Sequence, residues 1–248
     1  MTIETDHDLR ELKSIGWIVA ITLKEMMKRT EPGMTTDELD QIGRVLLERH
    51  GASSAPKVTY NFPGYTCISI NEEAAHGIPG DRAIKAGDVV NIDVSAEKNG
   101  YFADTGGSFI VPPGNFLKNK LIDSTKLALA QACLSAQAGR PLNGIGKSIQ
   151  KVAKQKGFKV IRNLCSHGVG RKLHEEPSEI PGYYEPRDQR ILHEGLVITI
   201  EPFLSTKSKF VAEADDGWTL VAGKGNLSAQ FEHTMVITKG HPILLTVA

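Results

Sequence analysis

The chain has 248 residues, 40% of them hydrophobic, and its 29 Lys plus Arg balance its 29 Asp plus Glu. It is long enough to bury a sizeable core, and the even charge excludes the electrostatic footprint of a nucleic-acid or anionic-membrane binder. The polar N-terminal stretch carries three acids in its first eight residues, wrong for a secretory signal, and no apolar run reaches the length of a membrane span, so a cytoplasmic location is expected.

In chain order, Asp8 to Lys28 reads as a helix with the stripe Leu12, Ile15, Val19 and Met26. Glu31 to Ala52 reads as a turn, a helix and a stop: Thr36 as N-cap, Leu39, Ile42, Leu46 and Leu47 at helical spacing, and Gly51 terminating. His76 follows in the loop AAHGIPG. The strand Asp88 to Ser95 alternates, with Val90, Ile92 and Val94 on one face and Asn91, Asp93 and Ser95 on the other. Asn99-Gly100 is a tight-turn signal leading into the segment that holds Asp104. A helix over roughly Leu121 to Gln137 is expected next.

Gln137 to Phe158 then repeats Glu31 to Ala52 at a constant offset, which pairs Gly33 with Gly139, Leu39 with Ile145 and Gly51 with Gly157. At a similar offset Asp93 pairs with Glu201. His76 and His174 read as occupying matching places beside these strands, and Asp104 and Glu232 as lying on matching strands that follow. We therefore expect a single catalytic domain, residues 1–248, built from two related halves of about 1–118 and 119–248. Three widely spaced cysteines (Cys67, Cys133, Cys165) without a CxxC pair offer neither a disulfide framework nor a structural zinc site, and reduced thiols are expected.

Chemistry concentrates in the segments NIDVS, ADTGGSF, SHGVG, TIEPF and QFEHTMVIT. Each places Asp93, Asp104, His167, Glu201 or Glu232 among β-branched, aromatic or glycine neighbours that favour burial. A buried carboxylate needs a partner, and four converging with an imidazole would repel one another by several kcal/mol without cations, so one dinuclear metal site is expected. Such an oxygen-rich donor set suits Mn, Fe(II) or Co(II) better than a tetrahedral zinc built on Cys and His; the ion stays open among Co, Mn, Fe(II) and Zn. Two such ions activate water and polarise a carbonyl, which points to hydrolysis. His76 and His174, in glycine- or proline-bounded loops, are placed to donate to or accept from a scissile amide. His7, His50, His193 and His241 are expected to face solvent. Neither a GxSxG elbow nor a GxxxxGK loop is present.

The stretches FPGYTCISINEEAAHGIP, AGDVVNIDVSAEKNGYFADTG, NLCSHGVGRKLHEEP, LVITIEPF and AQFEHTMVIT, in this order, resemble the methionine aminopeptidases of the short bacterial type I form. The resemblance runs over nearly the whole chain. It implies the α+β pita-bread fold shared with prolidase and aminopeptidase P, a pseudo-twofold pair of α/β halves with a central antiparallel sheet covered by helices. It further implies that Asp93, Asp104, His167, Glu201 and Glu232 bind two divalent cations, Asp104 and Glu232 bridging, that His76 and His174 contact substrate, and that Glu201 accepts the proton of the attacking water. Phe62, Cys67 and Trp218 would line the pocket for the methionine side chain. The substrates would be N-termini of nascent polypeptides whose second residue is small, with the ribosome a candidate neighbour and a monomer the expected state.

The chain departs from that family at Thr59, where a tyrosine three residues before Phe62 is common, and at Leu173, where an aromatic residue is common. Ser166 stands before His167 in place of a glycine, and Gly106-Gly107 replace bulkier residues. These positions bear on the size of the pocket and on rate. The length argues against the N-terminal domain of the prolidases, and the short interval from His174 to Glu201 against the type II insertion. Two other readings are a catalytically silent binding protein on this fold, set against by the presence of all five ligands, and an aminopeptidase with another preference such as Xaa-Pro.

Overall fold

In the computed structural model, which describes residues 1–248, the first helix, α1 (Asp6–Arg29), opens on Thr5. The Thr5 hydroxyl accepts from the Asp8 N–H at 3.2 Å and the Asp8 carboxylate accepts from the Thr5 N–H at 2.9 Å, a reciprocal cap that satisfies N–H groups otherwise orphaned at a helix start. The stripe Leu12, Ile15, Val19 and Met26 is buried. The next helix, α2 (Thr36–Arg49), is capped by Thr35 rather than Thr36. Both threonines are competent caps, and Glu38 decides between them: three residues after Thr35, its carboxylate accepts the Thr35 N–H at 2.8 Å. Thr36 instead donates its hydroxyl to the Gly80 carbonyl.

Beyond the short strand β1 (Ser53–Ser54) and the short helix α3 (Ala55–Tyr60) come β2 (Cys67–Ile70), β3 (Glu73–Ala75) and the hairpin β4 (Val89–Lys98)–β5 (Tyr101–Ile110). The hairpin turns on Asn99 and Gly100 at φ 55° and 77°, the left-handed pair that a two-residue turn needs. Strand β4 pairs antiparallel with β1, β2 and β5. Val90, Ile92 and Val94 pack into one core with Leu12, Ile15 and Val19 of α1 and Leu39 of α2, which leaves Asp93 on the opposite face.

The second half begins with α4 (Phe116–Ser135), which starts earlier than its apolar stripe because Asn115 caps the Lys118 N–H, and α5 (Asn143–Lys156). Ten short strands follow: β6 (Lys159–Val160), β7 (Cys165–Gly168), β8 (Glu175–Pro181), β9 (Val197–Ile200), β10 (Phe203–Ser205), β11 (Ala212–Glu213), β12 (Leu220–Val221), β13 (Ser228–Gln230), β14 (His233–Val236) and β15 (Ile243–Leu244). Together with β3 of the first half they form the antiparallel sheets β15-β14-β9-β7-β8, β13-β10-β6 and β11-β12-β3. Helices α4 and α5 cover a second core that includes Leu121, Ile145, Ile149, Ile198 and Ile200. The ladders are antiparallel throughout and the helices lie outside them, the α+β class expected. No helix is long and apolar enough to cross a membrane.

The two halves make the same bonds at corresponding positions. Gly33 donates to the Ile84 carbonyl and Gly139 to the Leu192 carbonyl, each at 2.8 Å. Gly51 and Gly157 lie beyond α2 and α5 at φ 66° and 84°. Ile70 pairs with Val90 on one side, Gly168 with Ile198 on the other. Between the halves the Glu232 N–H donates to the Gly106 carbonyl at 2.9 Å, the Asp104 N–H to Thr234 Oγ1 at 2.9 Å, and Thr234 Oγ1 back to the Asp104 carbonyl at 2.7 Å. This seam between β5 and the start of β14 holds Asp104 and Glu232 next to each other.

Candidate active site

One cavity of about 460 Å³ is lined by Phe62, Cys67, His76, Asp93, Asp104, His167, His174, Glu201 and Trp218, nine of the ten residues singled out in the sequence. The tenth, Glu232, lies buried across the seam from Asp104. Asp104, His167 and Glu232 each offer one donor atom within 4.8 Å of the others. His167 Nε2 stands 3.5 Å from Glu201 Oε1 and 3.9 Å from Asp104 Oδ2.

The electrostatics of this cluster are unfavourable as they stand. Burial lifts the Asp93 carboxyl to about 6. It lifts Asp104, Glu201 and Glu232 well above the usual carboxylate range, and the neighbouring carboxylates push each of them further. Burial, then the adjoining His174, lowers the His167 imidazole to about 3, so it is neutral and its lone pair is free. Asp104 Oδ1 and Glu232 Oε1 are buried without any hydrogen-bond partner. A buried orphan oxygen is costly in a native interior, and two of them side by side among hard donors fit divalent cations.

Three of the donors, His167, Glu201 and Glu232, are held from behind. His167 Nδ1 lies 3.0 Å from the Gly168 carbonyl, which can only accept, so Nδ1 carries the hydrogen and Nε2 turns its lone pair to the carboxylates. Thr199 Oγ1 donates to Glu201 Oε1 at 3.1 Å and accepts from the His167 N–H at 3.1 Å. The Glu201 N–H donates to Ser166 Oγ at 2.9 Å. Gln230 Nε2 donates to Glu232 Oε2 at 3.0 Å while its own oxygen accepts from Asn91 Nδ2 at 2.9 Å. Gly106 belongs to this arrangement because a Cβ there would sit 2.3 Å from Gln230 Oε1.

The structure brings His76 and His174 to the same cavity from places that do not match. Gly77, next after His76, accepts from Ile68 on β2; the corresponding residue of the second half is Ile180, which pairs with Ser166 on β7. His174 lies six residues ahead of Ile180, outside the equivalent stretch, because the second hairpin is longer. His76 has a left-handed backbone, φ 55°. Its ring opens to the cavity, yet the surrounding walls lower its basicity by desolvation, as they do that of His174, so both imidazoles are neutral near pH 7. Of the histidines expected to face solvent, His50 is half-buried against Trp17.

Phe62 and Trp218 meet edge to face with centroids 5.2 Å apart. Cys67 is buried, and burial, then Asp93, raises its thiol well above the usual range, so it stays protonated. Thr59 is exposed and outside the cavity. The residue that sequence reasoning missed is Tyr60, which lines the cavity and bonds His174 Nδ1 at 2.6 Å. The signal was its place beside Thr59, but only the left-handed Asn61 that ends α3 (φ 57°) shows which residue of that turn faces inward.

Residues 10–239 match the model of metallopeptidase family M24. The chain is 47% identical over 247 residues to methionine aminopeptidase 2 of Bacillus subtilis (strain 168), covering 99% of each chain. It is 48% identical over 247 residues to a methionine aminopeptidase of Staphylococcus epidermidis, covering 99% of this chain and 98% of that one. The crystal structure of the methionine aminopeptidase from Thermotoga maritima matches it with a TM-score of 0.96 at 33% identity over 100% of both chains. With the carboxylate cluster, the two cavity histidines and these likenesses in hand, the chain belongs to metallopeptidase family M24 and has the pita-bread fold of the methionine aminopeptidases within it.

Proposed function

We propose that this chain removes the initiator methionine from nascent proteins whose second residue is small. It acts as a monomer in the cytoplasm, on chains leaving the ribosome, and residues 1–248 are one catalytic unit of two related halves, about 1–118 and 119–248. The observation that carries the reading is a single cavity in which the apolar Phe62, Cys67 and Trp218 adjoin a cluster of buried carboxylates with two unpartnered oxygens. A recess selective for an unbranched thioether beside a hydrolytic centre describes an enzyme that reads the first side chain and cuts the bond after it.

Asp93, Asp104, His167, Glu201 and Glu232 would hold two divalent ions, Co, Mn, Fe(II) or Zn, and Asp104 and Glu232 each keep an unpartnered oxygen for them. When bound, such ions supply the Lewis acidity that activates water and polarises a carbonyl. Glu201, fixed by Thr199 and through its N–H by Ser166, is the base that accepts a proton from water. His76 and His174, neutral and facing the same space, hold the scissile amide and its developing oxyanion by hydrogen bonds. Phe62 and Trp218 clasp the methionine side chain, and the protonated Cys67 adds a soft wall without charge.

Chelation is expected to abolish hydrolysis of a Met-Ala-Ser peptide, with activity returning on addition of a divalent ion. Ala-Pro peptides are expected to be cut far more slowly. Preference for Ala-Pro, or full turnover in the presence of chelator, would overturn the reading.

A further inference from the structure

We propose that Tyr60 is a positioning residue that fixes the tautomer of His174, and so decides that this histidine donates to the substrate rather than accepts from it. The inference rests on the function proposed above. Tyr60 is the last residue of α3 and Asn61 beyond it is left-handed, which sets the phenol on the cavity wall. Its Oη lies 2.6 Å from His174 Nδ1, and this is the one side-chain hydrogen bond either residue makes. The His174 ring also lies against that of His167, centroids 4.1 Å apart and planes tilted by 47°.

A phenol and a neutral imidazole can share a hydrogen in two ways, and their chemistry chooses between them. The phenol O–H is a far stronger acid than an imidazole N–H, and the imidazole lone pair is a stronger base than the phenol oxygen, so the short bond runs from Oη–H to Nδ1. The hydrogen of the imidazole is then on Nε2, directed away from Tyr60. There it is a donor, suited to a carbonyl oxygen or an oxyanion and unsuited to an amide N–H. His76 has no side-chain partner that would impose a tautomer on it. The two cavity histidines therefore have separable duties, with His174 a committed donor.

The test reads the tautomer directly. Protein with 15N-labelled histidine is loaded with Zn(II), a diamagnetic ion, and two-bond 1H–15N correlations are recorded, with His174 assigned from the loss of its signals in H174Q. The expected pattern is a lone pair on Nδ1 and a hydrogen on Nε2, converting to a mixture of tautomers in Y60F. Because Phe keeps the ring, kcat for Met-Ala-Ser is expected to fall about tenfold in Y60F with KM changed by less than about twofold, the loss of one hydrogen bond that matters in the transition state. A hydrogen on Nδ1 in the parent protein overturns the proposal without any variant. So does Y60F with the parent's tautomer, whether or not its rate falls, since a lower rate would then reflect packing. A parent protein that leaves Met-Ala-Ser uncut would instead defeat the function proposed, and the tautomer would still be read.

Discussion

Asp104 sits at the point where every local argument meets: buried, crowded by Glu232 and Asp93, and with Oδ1 bonded to nothing. Asp104→Ala is expected to lose bound metal and peptide turnover together, as measured by elemental analysis and a Met-Ala-Ser assay. His76→Ala is expected to keep its metal while kcat falls by about 100-fold or more, the usual worth of a positioned proton-sharing group; retained metal with unchanged turnover would remove His76 from the mechanism. Ser166→Ala leaves the buried Glu201 N–H without an acceptor, and urea unfolding is expected to show a loss of about 1–3 kcal/mol. The buried acids of the cluster were legible in the sequence because acids in strands otherwise made of Val, Ile, Phe and Gly are a conflict that a cation would resolve. Ser166 read there only as a departure from a glycine, since its value lies in a backbone N–H 35 residues away in sequence, and Tyr60 went unread because helical periodicity does not reach a six-residue helix.

Among the elements, α1 is tied to the active site through its first turn. Arg171, three residues before His174, donates to Asp8 Oδ1 at 2.8 Å and to Tyr101 Oη at 2.6 Å, so the cap of a helix in one half tethers the loop of the other. Hydrogen bonds from the Thr5 side chain, then from Tyr101, hold the Asp8 carboxyl well below its usual range. A depressed acid stabilises the fold at pH values above its ordinary value, about 4, and that contribution disappears as pH falls through the folded value. Asp8→Asn is therefore expected to cost about 1–2 kcal/mol near pH 7, with the deficit against the parent shrinking in acid, as followed by denaturant titration at several pH values. The helices were readable from their stripes, but their starts were not always so: at α2 the glutamate rather than the threonine fixes the boundary, and α4 begins on Asn115 ahead of its apolar face. Matching places for His76 and His174 were an over-reading, because the offset that relates the helices changes where the second hairpin lengthens.

Across the whole molecule, buried carboxylates from both halves gather in one cluster. Without cations, burial raises the Asp93 carboxyl to about 6 and lifts Asp104, Glu201 and Glu232 well above the usual carboxylate range. Raised acids favour the fold while protonated and lose that contribution as pH rises through their folded values. Protein treated with chelator is thus expected to become less stable as pH rises through about 6. Saturating divalent ion is expected to raise the thermal midpoint by about 5–10 °C near pH 7.5, with a gap that widens with pH in differential scanning fluorimetry. A midpoint indifferent to metal would mean that the carboxylates are not its ligands. The overall architecture was open to sequence reading because the repeated glycines at turns and helix ends serve the same bonds twice. The contacts between halves were not, since at the seam the Glu232 N–H meets the Gly106 carbonyl and Thr234 Oγ1 bonds both backbone groups of Asp104, 130 residues away in sequence, a pairing that local periodicity does not encode.

The seam has a consequence for when cutting can begin. Asp104 arrives from one half, His167 and Glu201 from the other, and Glu232 only near the carboxyl end, so a copy still being made, or one with its two lobes unjoined, owns fragments of a blade and no edge. On the proposed ligand set, hydrolysis would wait until the segment that carries Glu232 has docked against β5, and an immature molecule would be harmless to its neighbours.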